Sequence, residues 1–319
     1  MSTRNRVIDI TKGLGICLVV MGHLTNQGEW QRIFIHSFHM PLFMILSGYC
    51  FKIDKISNIL QKSIKKYLLI AYATIFIDIL LNMLLKYRFT FPSKKAWVST
   101  FILHGGLWIN IPIWFLFTLV LCQVLVTLLL KHSKAILILF TIFLVVSNEI
   151  FQYSIHWWVT STLYAFPFFT VGFVSKIYEK KILQLINSRK SWTNYILMIS
   201  FVVAIYWNGY TDMYSLVKGK SYLIFMYTGI IGTLFMLKLA SSIKDYWGQQ
   251  KISFLGTKTF IILITHYYIC RKLIPILLNY LNLNGWSENI VFQIILTIII
   301  MCGYYVILIP KKKKLIYIA

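Results

Sequence analysis

Apolar runs long enough to cross a bilayer recur from one end of this chain to the other, separated by short polar stretches. A membrane-spanning helix takes about 20 predominantly apolar residues, with a range of roughly 17 to 25. Ten segments follow that pattern: residues 7–24, 33–51, 67–85, 111–130, 135–151, 157–175, 195–208, 222–241, 259–278 and 290–309. The seventh is the shortest. The pattern predicts an all-α, polytopic membrane protein of about ten transmembrane helices. The longest loop, Lys86 to Asn110, is too short for a soluble domain, so residues 1–319 read as one integral-membrane domain. Asp9 and Lys12 interrupt the first segment and no small-residue cleavage site precedes the second, so the first reads as a retained helix rather than a signal peptide.

Composition agrees with this pattern. The 319 residues are 58% hydrophobic, with a mean hydropathy of +0.72, outside the roughly half-apolar composition of soluble domains. The formal charge of +23 invites a polyanionic partner, but the basic residues alternate by side. The N-terminus, the even-numbered loops, Lys238 and the tail Lys311 to Lys314 hold 23 of the 32 Lys and Arg; the odd-numbered loops hold 7, and Arg271 and Lys272 lie inside the ninth segment. Such asymmetry predicts an even number of spans with both termini cytoplasmic. It explains the charge with no nucleic acid as partner. The five cysteines stand singly in apolar segments, and no two histidines have a metal-ligand spacing beyond the pair His36 and His39, so no metal is expected.

The first 50 residues carry the candidate chemistry, because ionisable groups at membrane depth are costly and mark function. On a helix over residues 7–24, Lys12 and His23 lie about 16 Å apart along the axis and only some 20° apart around it. Asp9 falls within about 40° of His23 on the same reckoning. One stripe thus leads from Asp9 and Lys12 at the cytoplasmic end to His23 near the outer end. The second segment is expected to continue as one helix from outside, with His36, His39, Phe43 and Ser47 on a single face and both histidines near the level of His23. Burial keeps an imidazole neutral, the state a general base requires. Ser47 lies too deep for a dyad with His36, so direct transfer is favoured over a covalent intermediate. For His36 alone, an interfacial imidazole satisfied by backbone or water is the other reading.

Further along, Asp78 near the middle of the third segment, with Asn82 one turn on, is a candidate for a buried polar network orienting substrate. Trp114 offers an apolar face for a sugar ring or an interfacial anchor. Glu149 and His156 fall at the outer, acceptor side, where an interfacial role without chemistry competes. His266 lies within the ninth segment.

The string DITKGLGICLVVMGH, Asp9 to His23, followed by FHMPLFMILSGY, Phe38 to Tyr49, resembles the opening of the acyltransferase 3 family of polytopic membrane acyltransferases, in particular the fucose 4-O-acetylase-like members. PIWFLFTLVL from Pro112, FPFFTVGF from Phe166 and FLGTKTFIILITH, Phe254 to His266, resemble its later landmarks. The resemblance implies a multi-pass protein of the bacterial plasma membrane. It also implies transfer of an acetyl group from acetyl-CoA to a hydroxyl of a surface carbohydrate or lipid-linked glycan such as an O-antigen, capsule or exopolysaccharide. In that reading His23 is the base, His39 and Asp9 assist it, and His36, Trp114, Asp78 and His266 line the substrate. Lys12, Lys65 and Lys66 would hold the CoA phosphates; positive-inside orientation is the other account of Lys65 and Lys66. Many members carry Arg where this chain has Lys12, and an R-x-R pattern where it has Lys62, Lys65 and Lys66; Lys keeps the charge but not the bidentate fork. A non-enzymatic transporter or flippase of lipid-linked carbohydrate is the rival class.

Overall fold

In the computed structural model the described residues are 5–26, 28–65, 69–84, 110–151, 157–179, 191–246, 248–283 and 288–309. They are almost entirely helical: α1 Arg6–Leu24, α2 Trp30–His36, α3 His39–Cys50, α4 Ile56–Ser63, α5 Leu69–Leu84, α6 Trp114–His132, α7 Lys134–Ile150, α8 Trp157–Ile177, α9 Ser191–Asn208, α10 Tyr222–Ile243, α11 Gln249–Thr257, α12 Thr259–Tyr268, α13 Ile274–Tyr280 and α14 Ile290–Leu308. A helix stands at each of the ten apolar segments. Six stretches among the described residues have the length and hydropathy to cross a membrane: Arg6–Leu24, Trp30–Cys50, Ile111–His132, Tyr222–Ile243, Thr259–Tyr280 and Ile290–Leu308. The outward faces of α7, α9 and α14 expose rows of large apolar side chains such as Leu139, Ile199 and Val306, a surface suited to lipid.

Two segments expected as single helices are broken, and prolines explain both breaks. Pro41 has no N–H for the Ser37 carbonyl four residues earlier, and the chain turns at Ser37 and Phe38 between α2 and α3. The released carbonyl accepts the Thr228 hydroxyl at 3.1 Å instead. In the ninth segment Pro275 cannot donate to the Arg271 carbonyl, and the backbone widens into a π-turn, Ile269–Leu273, with Ile274 N–H donating to the Ile269 carbonyl. Pro167 lies inside α8, where the Leu163 carbonyl it frees accepts Asn148 Nδ2 from α7 at 3.2 Å. In lipid every such orphan needs a protein partner.

Close helix crossings hold the histidine-bearing helices. α3 packs along α8, α1 along α11, and α10 against both α1 and α3. A Cβ at Gly48 would overlap the Phe169 carbonyl, and one at Gly172 the Ile45 carbonyl, so only glycine allows the α3 and α8 backbones to approach this far. Phe168, Phe169, Tyr222 and Phe225 fill the core between α3, α8 and α10, and Phe166 packs on Phe140 of α7.

Candidate active site

A cavity of about 770 Å³ opens beside the C-terminal end of α1. Its wall includes His23 from α1, Arg32 and His36 from α2, His39 and Met40 from α3, Pro112 and Trp114 at the start of α6, Tyr210, Asp212 and Tyr214 from the loop before α10, and Tyr267 and Arg271 from the broken ninth segment. Both proline-induced breaks therefore border it. Asn26 and Gly28, the turn at Ile111 and the loop between α9 and α10 also contribute to it.

His23 is half-buried, its ring set against two consecutive residues of α12. The His266 ring lies 4.9 Å from it and the Tyr267 ring 5.4 Å away, edge-on at 88°. His39 is buried, and its Nδ1 donates to the Ile35 carbonyl at 2.9 Å. A carbonyl can only accept, so the ring proton sits on Nδ1 and Nε2 carries the lone pair of the neutral ring. The rings of His36 and His39 are 4.8 Å apart, and Tyr210 packs on His36 with its hydroxyl 3.4 Å from His36 Nδ1. The kink at Ser37 and Phe38 thus replaces the expected continuous face, yet leaves both histidines at the cavity.

The loop from Gly209 to Ser221 is ordered by its own polar groups. Asn208 accepts from Ser221 N–H at 2.8 Å and donates to the Lys218 carbonyl at 2.9 Å, while Asp212 and Val217 exchange two backbone hydrogen bonds. Asp212 also accepts from Tyr214 N–H at 3.0 Å and the Ser215 hydroxyl at 2.9 Å. Burial first, and then the Asp212 carboxylate, push the Tyr210 and Tyr214 phenols above their ordinary range, so both remain O–H donors.

The cavity brings together four of the expected residues, His23, His36, His39 and Trp114. Trp114 is only 3% exposed, which makes it a wall residue rather than an interfacial anchor. His266 stands behind His23 and is not part of the wall. Asp9, also buried, and Lys12 lie at the other end of α1; the Lys12 ammonium is 3.8 Å from Cys50 Sγ. Lys65 is exposed beyond α4. Lys66, His156 and the Asp78 side chain lie outside the described residues. Glu149 accepts from Leu223 N–H at 3.0 Å and the Ser221 hydroxyl at 3.2 Å, closing the start of α10.

Arg32, Tyr210, Asp212, Tyr267 and Arg271 also line the cavity, and the sequence pattern had pointed to no role for them. For Arg271 the signal was present, a guanidinium inside an apolar span. Among the described residues no group of three metal-ligating side chains occurs. A smaller cavity of about 180 Å³ lies at the opposite end of α1 and α10, lined in part by Asn5, Tyr49, Glu179 and Lys244. The two cavities share no lining residue.

No curated protein and no solved structure gives a match to the chain. The family model described as an acyltransferase domain matches residues 5–309, nearly the full length, in which His23 and every other residue of the cavity wall fall. This membrane protein belongs to the acyltransferase 3 family and is an acyltransferase.

Proposed function

We propose that the protein transfers acetyl from acetyl-CoA to a carbohydrate hydroxyl bound in the larger cavity, with His23 as general base. The observation that carries this reading is the place of His23: its residue lines a cavity of about 770 Å³, and its ring packs against those of His266 and Tyr267. A volume of that size accommodates a sugar unit. In the step proposed, His23 takes the proton of the acceptor hydroxyl as its oxygen bonds to the thioester carbonyl carbon. The carbon–sulfur bond then breaks, and the proton passes to the departing CoA thiolate. His39 Nε2 accepts from a second hydroxyl of the sugar, and Trp114 supports an apolar face of the ring.

The same proposal has ten spans, cytoplasmic termini and a bacterial plasma membrane, with CoA phosphates near Lys12 and Lys65 and the acceptor in the cavity on the outer side. The distribution of Lys and Arg supports that orientation.

The test is O-acetyl analysis, by NMR, of surface glycans from cells lacking the gene and from cells complemented with wild type or His23→Ala. Loss of O-acetyl in the deletion, restored by wild type and not by the variant, is the expected result; wild-type acetylation by His23→Ala protein sinks the mechanism. Removing a general base costs about 10²- to 10⁴-fold in rate.

A further inference from the structure

Two guanidinium groups face the proposed acceptor cavity, and the carboxylate beside them is already engaged. Arg32 is 8% exposed; its Nη1 donates to the Thr25 carbonyl at 3.1 Å, which pins the side chain, while its buried Nε has no hydrogen-bond partner. Arg271 reaches the same cavity from the π-turn, whereas the neighbouring Lys272 places its ammonium over the Tyr268 ring at 5.3 Å. Asp212 is the acidic member of the wall, and its oxygens are taken by Tyr214 N–H, the Ser215 hydroxyl and, at 3.4 Å, the Tyr210 hydroxyl. Among the described residues no carboxylate forms an ion pair with either arginine.

Asp212 offsets one of the two positive charges, and the excess positive charge left in this partly buried space favours entry of an anion. A planar guanidinium with free N–H groups matches a carboxylate or phosphate in a way an ammonium does not. The residues around it, His36, His39 and Tyr210, can bind the hydroxyls of a sugar but add no negative charge. We propose that Arg32 and Arg271 form an anion subsite within the acceptor cavity, and that the acceptor is an acidic glycan bearing a carboxylate or phosphate beside the hydroxyl that is acylated. This rests on the acetyltransferase reading for the identity of the bound molecule as acceptor, and it adds the class of sugar.

The test measures binding of three probes to the full-length protein in nanodiscs: methyl glucuronide for a carboxylate, glucose 1-phosphate for a phosphate, and methyl glucoside as the neutral control. At least one anionic probe should bind about 10- to 100-fold more tightly than methyl glucoside, the range set by one charge-assisted pair. Arg271→Gln should abolish that advantage, while Arg271→Lys keeps part of it. Which anionic probe gains identifies the charged group. Thermal unfolding of Arg271→Gln verifies folding; Arg271 is only half-buried, so this variant is better suited than Arg32→Gln. Equal binding of the three probes, or an anionic advantage that survives Arg271→Gln, overturns the subsite. Should the discrimination hold while the deletion strain keeps its glycan O-acetyl, the subsite stands and the acetyl-transfer reading falls.

Discussion

The imidazole of His266 lies directly behind that of His23, with ring centroids 4.9 Å apart and planes inclined by 56°. His266 is fully buried and donates from Nδ1 to the Ile262 carbonyl at 2.9 Å, so Nε2 carries the lone pair of the neutral ring; that atom is buried without a hydrogen-bond partner. An acceptor atom next to a base in this way can take the N–H of the His23 ring once a substrate turns it, fixing which nitrogen faces the hydroxyl. We therefore expect His266→Ala to lower kcat by about 10- to 100-fold, as is usual when the group orienting a functional histidine is lost. KM for the acceptor should stay near wild type, since His266 is not in the cavity wall. A parallel rise in KM with unchanged kcat would show contact with substrate instead.

Tyr210 supplies a pH prediction. Its phenol is raised above the ordinary value of 10.0 by burial and then by Asp212. Below that pH the group is protonated in both folded and unfolded chains and adds no pH dependence; above it the unfolded chain gains by ionising while the folded one resists, so stability falls. The melting midpoints of wild type and Tyr210→Phe should differ by a constant amount from neutral pH to about pH 9. At higher pH the difference should shift in favour of the variant. A difference that stays flat into the alkaline range would mean that Tyr210 ionises normally.

The carbonyl freed by Pro41 gives a prediction about the site's frame. Thr228→Val leaves the Ser37 carbonyl buried without the hydroxyl it accepts at 3.1 Å, at a cost of about 1–3 kcal/mol. The additional change Pro41→Ala restores an N–H four residues after Ser37. Thermal unfolding in detergent should show the single variant lowered and the double variant partly recovered. Additive losses would mean that the hydroxyl does not stand in for the missing amide.

Much of the fold was legible because lipid enforces a single long period, and each of the ten apolar segments contains a helix. The breaks were harder to read. Pro41 and Pro275 are visible in the sequence, but whether a proline kinks a helix, splits it or widens it depends on a distant partner such as Thr228. His23, His36 and His39 stood out because imidazoles are rare in apolar segments. Tyr210 and Asp212 did not, since they lie in a short polar loop whose path depends on hydrogen bonds from Asn208 and the Asp212 to Val217 bridge. Asp9 and Lys12 lie at the end of α1 opposite His23, as the helical spacing implied, where α1 packs on α11 through Gly13 and Gly256.

Orientation is testable through α10, whose two ends border different cavities. Its N-terminal end follows the loop that carries Tyr210 and Asp212, and its C-terminal end, with Ser241 and the adjoining Lys244, lines the smaller cavity. Twenty-two helical residues, Tyr222–Ile243, measure about 33 Å, close to the roughly 30 Å hydrocarbon thickness. In the proposed orientation the cavities sit at opposite faces, with the basic side, which includes Lys244, expected to face the cytoplasm. In a background lacking the five native cysteines, a cysteine at Asn26 on the rim of the larger cavity should react with an impermeant maleimide added to intact cells. One at Lys244 should react only after permeabilisation. The reverse pattern would place the acceptor cavity in the cytoplasm and move the proposed acceptor from finished surface polymer to a precursor on the inner leaflet.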